Sequence, residues 1–338
     1  MGRKAEKERS DCIAEEGPVY SRGRNFRACA ELSARKYRLN ILHLTRWDTW
    51  GHWLHPDDAC NGYNFLPAMR SEILSALKLR AAKGKGIDLD RTRKNLLSSQ
   101  ALCFNLFIPL NKNKELASRL FKRLLRNNDA EITDDIILEY TPSNSIFGDQ
   151  SAVGGVDCDA LVIYQTSPRQ RGLIVVETKY VETGFSICGF RRSYQKDPCP
   201  KRTFLNDDYS TCRYNTKKKY RYWDRTQASR LFNMDLIKSQ PCPFGDSLWQ
   251  LWTNMTLSFC LAEERDIEHF SYVIICPKQN TSLSNNGEVF RQFGHLIRDE
   301  KKNAFKVIFL EDIIENLLAL SNDFPTTWIR DFQNRYHI

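Results

Sequence analysis

Two short apolar runs joined by a turn constrain this chain more than any other feature of its sequence. Residues 160–164 (ALVIY) and 173–176 (LIVV) are rich in β-branched residues and are bounded by turn-forming residues. Runs of this length and composition predict paired β-strands rather than helices. Both faces of each run are apolar, which predicts strands in the middle of a sheet that is covered on both sides.

Charged residues occur at only one end of this hairpin. Asp159 opens the first strand, and Glu177 and Lys179 close the second. A five-residue loop over residues 166–170 places Asp159 opposite Glu177 on the same face, with Cβ atoms about 5 Å apart. Because side chains alternate along a strand, Lys179 shares that face. Two converging carboxylates repel each other unless a cation binds, and oxygen ligands suit Mg²⁺.

A second aspartate competes for the metal position. Asp157 is two residues before Asp159, so alternation places both on the same face. Asp157 lies opposite Lys179, about 7 Å further along the strand, and it follows two glycines where the strand is not yet regular. We therefore assign the metal to Asp159 and treat Asp157 as a residue that lines the site.

At these residues the sequence resembles the PD-(D/E)XK nuclease superfamily. Its motif is an Asp at the start of one strand and Glu-x-Lys at the end of the next, here Asp159, Glu177 and Lys179, without the usual Pro before the Asp. More loosely, residues 96–110 and 138–142 resemble a prokaryotic branch of restriction endonucleases.

The resemblance implies a Mg²⁺-dependent nuclease acting on DNA, in restriction, defence or DNA processing, with Mn²⁺ as a substitute metal. It also implies that Asp159, Glu177 and the carbonyl of Thr178 bind the metal and that Lys179 is catalytic.

Two alternatives remain open. One is a structural ion pair at the end of a sheet, because short E-x-K motifs also arise by chance. Glu300 and Lys302 form such a pair, but no apolar strand precedes them. The other is a nucleic-acid-binding module on the same fold that no longer cleaves. The intact motif argues against it, because a degenerate site would have lost the lysine or a carboxylate.

Other polar residues are candidates for the same site. Glu139 ends the first predicted strand and could line the same edge of the sheet. Gln100 and Asn105 lie on a predicted helix within the resemblance and could contact substrate. Gln250 and Asn254 are one turn apart on a later helix that is otherwise apolar, and we expect this pair to face water.

A basic stretch follows the motif. Residues 212–225 (CRYNTKKKYRYWDR) interleave six Lys and Arg residues with four aromatic residues. Lys and Arg neutralise phosphates, and aromatic rings can stack on exposed bases. We predict nucleic-acid contacts from Lys217, Lys218, Lys219 and Arg221, with an ordinary solvated surface as the alternative.

The cysteines give no clear metal signature. The chain has eleven cysteines and no C-x-x-C motif, and in a cytosolic protein they are expected to be reduced thiols. Cys188, Cys199, Cys212 and Cys242 follow the E-x-K strand, but their spacing matches no metal-binding pattern, and Cys199 and Cys242 each lie between prolines. From this spacing we expect neither an iron–sulfur nor a zinc site. A further alternative reading is a cysteine-cluster protein in which residues 185–245 form a metal domain.

The order of the patterns predicts an α/β fold. Helix, three strands, helix and strand follow one another, as in a restriction-endonuclease-like core with a central mixed β-sheet flanked by helices. We predict a mostly helical N-terminal extension (1–95), a core (96–310) with a basic insertion at about 185–222, and a C-terminal helical segment (311–338).

No apolar run reaches the roughly 20 residues of a membrane helix, and the N-terminus lacks an apolar signal segment, so we expect a cytoplasmic protein. The net charge of +9 favours DNA as partner, and a homodimer is compatible with these features.

Overall fold

A mixed β-sheet organises the protein. The structure is a computed structural model, and it describes residues 16–337 except 22, 24, 83–85, 143–145, 150–154, 167–169, 192–198, 200–208, 321–322 and 325–326. Within these residues the six strands of the sheet are β1 (Glu131–Ile132), β2 (Ile137–Tyr140), β3 (Cys158–Thr166), β4 (Gln170–Thr178), β5 (His269–Cys276) and β6 (Phe305–Phe309).

The strand order is β1-β3-β4-β5-β6, and β2 pairs with β3 alongside β1. The pairs among β1 to β4 are antiparallel, whereas β4–β5 and β5–β6 are parallel. Where the sequence predicted one first strand ending at Glu139, the structure has two short strands, both paired with β3. The predicted α/β architecture is confirmed.

Helices cover both faces of this sheet. In chain order the described α-helices are α1 (Phe26–Lys36), α2 (Pro56–Cys60), α3 (Arg70–Ala81), α4 (Leu89–Lys94), α5 (Ser99–Lys112), α6 (Lys114–Leu125), α7 (Tyr222–Ser229), α8 (Met234–Lys238), α9 (Trp249–Glu264), α10 (Glu288–Leu296), α11 (Leu310–Leu320) and α12 (Thr327–Tyr336). Side-chain caps start several of them. The Ser98 side chain accepts a hydrogen bond from the Ala101 N–H at the start of α5, and Asn113 does the same for α6.

The central strands separate two hydrophobic cores. Alternate residues of β3 and β4 face α5, α6 and α11 on one side, and the intervening ones face α7 and α9 on the other. Val162 and Ile174 belong to the first core, and Ile163 and Leu173 to the second. Each fully buried aliphatic side chain contributes about 1.5–3 kcal/mol, so these strands are fixed firmly in register.

The register of the hairpin agrees with the prediction. Gln165 pairs with Arg171, and Ala160 pairs with Val176. One step further toward the open end, this register places Asp159 opposite Glu177. The ladder extends one pair further toward the turn than predicted, because Thr166 also pairs with Gln170.

The N-terminal helices share a core with the sheet. Residues of α1 and α3 pack in the same hydrophobic cluster as α5 and α12. The buried Arg335 of α12 donates hydrogen bonds to the Asn64 side chain at 2.6 Å and to the Leu96 carbonyl at 2.5 Å. The division into extension, core and C-terminal segment stays a prediction. Among the described residues, no helix has the length and apolar character needed to cross a membrane.

Candidate active site

Three carboxylates lie side by side across one end of the sheet. Asp159 is near the start of β3, Glu177 is opposite it near the end of β4, and Glu139 falls opposite it on β2. Asp157 lies just before β3, and Lys179 directly follows β4. The fold thus brings together the side chains that the sequence predicted for the catalytic motif.

Thr178 holds the Asp159 carboxylate in place. Oδ2 of Asp159 accepts hydrogen bonds from the backbone N–H of Thr178 at 2.6 Å and from its hydroxyl at 2.5 Å. Among the described residues, these are the hydrogen bonds that the carboxylate receives, and both are on Oδ2. The orientation of the side chain is therefore fixed while Oδ1 stays open to another ligand.

Glu177 is buried and held by three donors. Its Oε1 accepts hydrogen bonds from Lys179 Nζ at 2.6 Å and Gln250 Nε2 at 2.7 Å, and its Oε2 accepts one from Asn254 Nδ2 at 3.0 Å. Gln250 and Asn254 lie one turn apart on α9, so that helix directs two amides at β4. The prediction that this pair faces water is wrong, because Asn254 is only 2 % exposed.

Lys179 remains charged although it is 9 % exposed. Burial lowers the pKa of Lys179, but the carboxylates of Glu177, Glu182 and Asp159 together raise it by more, so the pKa lies above its ordinary value. The Phe185 ring lies 5.9 Å from Nζ. The site therefore holds one fixed positive charge beside its carboxylates.

Glu139 is strained and incompletely satisfied. Its backbone φ is 49°, in the left-handed region that non-glycine residues rarely adopt. Ile137 and Tyr140 pack against the same core, which shows that alternation breaks at Glu139. Its Oε2 accepts a hydrogen bond from Gln100 Nε2 at 2.9 Å, whereas Oε1 is buried without a partner among the described residues. Strain of this kind costs about 1–3 kcal/mol, and an unpaired buried acceptor costs about as much again.

Gln100 links this corner to the N-terminal segment. Its Nε2 also donates to the Gly86 carbonyl at 2.6 Å, and its Oε1 accepts from the Thr92 hydroxyl at 2.6 Å. Gly86 has a φ of +79°, and a Cβ there would lie 3.6 Å from Asp157 Oδ2. The chain that leads into α4 therefore lies against the carboxylates.

The carboxylates raise one another's pKa. Burial, and then the charges of Asp159 and Asp157, raise the pKa of Glu139 well above its ordinary value. Burial and Glu177 do the same for Asp159. Burial and Glu177 also raise the pKa of Asp157 to about 6, although its side chain reaches solvent. At neutral pH this cluster therefore favours an extra proton or a bound cation.

These residues fit a hydrated divalent cation. The unpartnered Oε1 of Glu139 and the open Oδ1 of Asp159 are hard oxygen donors beside Glu177. Within the described part of the chain, no three His, Cys, Asp or Glu side chains are grouped closely enough to hold an ion alone. Mg²⁺ binds through one or two carboxylates and keeps several waters, so a pair of carboxylates suffices.

The predicted nucleic-acid-binding side chains lie apart from this hydrogen-bond network. Lys217, Lys218, Lys219 and Arg221 are all exposed. The backbone N–H of Arg221 donates to the carbonyl of residue 147 at 2.7 Å, and its Nη2 donates to that of residue 146 at 3.3 Å. The basic stretch therefore lies against the segment that leads into Asp157.

The aromatic residues of that stretch are used internally. Tyr222 and Trp223 are buried, and Tyr214 stacks on Trp249 with 4.8 Å between ring centroids. Tyr222 and Trp223 are therefore not available to stack on exposed bases. Asn105 is likewise structural, because it is buried and bonded to residues 64, 66 and 336.

Comparison with known proteins places the chain in a family. A model of the PD-(D/E)XK nuclease superfamily matches residues 24–338 of the chain. No curated protein and no solved structure matches the chain significantly.

Proposed function

The chain belongs to the PD-(D/E)XK nuclease superfamily, and on this premise we propose that it is a metal-dependent endonuclease that hydrolyses phosphodiester bonds in DNA. The observation that carries the proposal is the convergence of Asp159, Glu177 and Lys179 beside Glu139, a buried carboxylate with one oxygen that has no partner in the described part of the chain. Its biological setting would be restriction, defence or DNA processing.

In this proposal Asp159 and Glu177, with the carbonyl of Thr178, hold Mg²⁺, for which Mn²⁺ can substitute. The bound metal would polarise the scissile phosphate and lower the pKa of a bound water. Thr178 fixes Asp159, and the α9 amides fix Glu177, so neither carboxylate has to reorganise when charge develops.

Lys179 orients the attacking water or offsets the charge that develops on the phosphate, a task that suits a compact ammonium group. Its bond to Glu177 holds Nζ beside the carboxylates. Glu139, Gln100 and Asp157 line the site, and the two carboxylates among them add to its negative charge. Their negative charge favours binding of a cation before a phosphate arrives.

Lys217, Lys218, Lys219 and Arg221 would contact the DNA backbone. Their side chains are exposed, and the stretch lies against the segment leading into Asp157. DNA bound there would pass near the carboxylate end of the sheet.

A cleavage assay tests the enzyme proposal. Purified protein is incubated with supercoiled and linear DNA in Mg²⁺, Mn²⁺ or EDTA, and we expect cleavage only with the metals. Glu177→Ala and Lys179→Ala should abolish cleavage while the protein stays folded. The double variant Glu300→Ala/Lys302→Ala is a matched control. It removes the other E-x-K pair of the chain, whose two side chains are exposed and lie outside the proposed site.

The outcome separates the two functions. If Glu177→Ala cleaves at the wild-type rate, the site assignment is wrong. If the wild type binds DNA tightly but cuts it under none of these conditions, the protein is a binding module on the nuclease fold.

A salt titration tests the DNA contacts. Neutralising all four basic residues, Lys217, Lys218, Lys219 and Arg221, should flatten the slope of log affinity against log salt by up to about 0.9 per lost phosphate contact. A control with the same change in net charge neutralises basic residues near β6, namely Arg298, Lys301, Lys302 and Lys306. Equal slopes for the two variants would show that residues 212–225 are an ordinary solvated surface without specific DNA contacts.

A further inference from the structure

Four cysteines line one cavity on the α9 side of the sheet. Cys188, Cys199, Cys212 and Cys242 meet there, and all are free thiols. Burial, and to a smaller extent the charges of the other three cysteines, raise the pKa of Cys242 to about 12. The expectation of no metal site was based on spacing along the chain, which does not reflect that the fold brings the four thiols to one cavity.

Burial raises the pKa of Cys188, Cys212 and Cys242, while backbone N–H groups beside these three sulfurs act in the opposite direction. The N–H groups belong to residues 214 and 215 beside Cys212, to residue 190 beside Cys188 and to residue 244 beside Cys242. Hydrogen bonds to the sulfurs are among the features that tune iron–sulfur centres.

A buried cation completes the cavity. The guanidinium of Arg191 lines it, and Nε and Nη1 of Arg191 are buried without acceptors among the described residues. Gly245 permits this approach, because a Cβ there would lie 2.3 Å from Arg191 Nε. The rest of the wall is largely aromatic and includes Trp249 and Trp252. A positive charge with two orphan donors in such a cavity needs a negatively charged group.

The spacing of the thiols distinguishes between metals. A single zinc ion requires its sulfur ligands about 2.3 Å from one point. Among the described residues, no three potential ligands are grouped closely enough for a single ion. We propose that the cavity holds an iron–sulfur cluster bound by Cys188, Cys199, Cys212 and Cys242. Four thiolates give such a cluster a net negative charge, which Arg191 complements.

The cluster would be a structural centre for the insertion after β4. It joins the segments around its four ligands to the start of α9, where Trp249 and Trp252 form part of the cavity wall. The same turn of α9 carries Gln250, whose Oε1 accepts the backbone N–H of Ser186 at 3.2 Å and whose Nε2 donates to Glu177. The cluster therefore holds in place the helix that positions a candidate catalytic carboxylate.

Metal analysis of the full-length protein tests this inference. After anaerobic purification, or reconstitution with iron and sulfide, we expect about four irons and four acid-labile sulfides per chain. A broad absorption band near 400 nm should accompany them and bleach with dithionite. The double variant Cys212→Ala/Cys242→Ala should lose most of the iron and the band.

The matched control is Cys29→Ala/Cys60→Ala, which removes two exposed thiols outside the cavity and should keep the full iron content. Equal iron in the two double variants would overturn the proposal. If the cavity variant does not fold, the wild type alone decides. One zinc per chain without the band, or no metal after reconstitution, would refute the cluster.

Arg191→Gln gives a readout that a purely structural contact would not change. Loss of a positive charge beside the cluster should make its reduction potential more negative while the iron content stays the same. An unchanged potential would show that the guanidinium does not face the cluster.

Discussion

The two glutamates that flank Asp159 are held in opposite ways. Glu177 on β4 receives three hydrogen bonds from charged or amide donors, and both of its oxygens are satisfied. Among the residues that the structure describes, Glu139 on β2 receives one hydrogen bond and its Oε1 has no partner, and its backbone is strained. The β4 side of the site is preorganised in the protein itself, whereas the β2 side bears a cost that a bound cation would offset.

The two helices that supply the donors differ in the same way. On α9, Gln250 and Asn254 both donate to Glu177. On α5, Gln100 divides its bonds between Glu139, Gly86 and Thr92. The β4 side is therefore tied to a single rigid helix, and the β2 side is connected to the N-terminal segment.

The largest effect on the cleavage rate should distinguish Asp159, which lies between the two glutamates, from Asp157. Asp159→Asn should lower the cleavage rate by about 10³-fold or more, because it weakens the metal site. Asp157→Asn should cost at most about tenfold, because Asp157 lies one step outside the carboxylate row. Rates are measured on plasmid DNA at saturating Mg²⁺. If the losses are reversed, the metal site belongs to Asp157.

Stability without metal should distinguish the two glutamates themselves. Glu177→Gln leaves the buried charge of Lys179 without its carboxylate, which should lower the free energy of unfolding by about 3 kcal/mol. Glu139→Gln removes a repelling charge and should raise that free energy by about 1 kcal/mol. Urea denaturation in EDTA measures both. Equal changes would show that the two sides are energetically alike.

The α9 amides should have an intermediate effect. Asn254→Ala leaves Glu177 Oε2 without a donor and should cost about 1–3 kcal/mol of stability. The cleavage rate should fall about tenfold, because Glu177 is then less well oriented. Ser258→Ala on the same helix is the control, since among the described residues the Ser258 hydroxyl donates within its own helix, to the Asn254 carbonyl. If Asn254→Ala cleaves like the control, α9 does not position Glu177.

The hairpin and its charged end could be predicted because their signals are local. β-Branched runs, the turn and period-two alternation determine the register that places Asp159 opposite Glu177. Local sequence could not reveal that Gln250 and Asn254 point inward. Helix α9 is buried on nearly all sides, so its sequence does not show which polar residues face solvent. The carboxylate that its amides contact comes from a strand that is distant in sequence.

Two other features depend on tertiary structure. The positive φ of Glu139 is rare for a residue with a side chain. Glycine and asparagine are the residues that usually indicate such a conformation, and position 139 is neither, so the sequence does not predict it. The cysteine-lined cavity forms only when segments from residue 188 to residue 242 fold together. Spacing rules for metal sites apply to ligands on one short motif, so they gave no indication of this arrangement.

The smallest expected effect concerns pH. Burial and Glu177 raise the pKa of Asp157 from 3.8 to about 6 in the folded protein. Because the folded state holds this proton more tightly than the unfolded state, protonated Asp157 stabilises the fold. That contribution is fully present below about pH 4 and is lost as the pH rises through about 6. Asp157 reaches solvent, so screening should keep the change in melting temperature on the order of 1 °C.

The measurement is the melting temperature of the wild type minus that of Asp157→Asn, recorded in EDTA from pH 4 to pH 7. We expect this difference to fall as the pH rises, because only the wild type ionises there. Asp129→Asn, in the turn before β1, controls for loss of an exposed charge and should leave the difference flat. Mg²⁺ at pH 7 should restore part of the lost stability, since a cation offsets the repulsion that ionisation creates. A difference that rises with pH would mean that ionised Asp157 is stabilised by Lys179, and the carboxylate row would then be less repulsive than its geometry indicates.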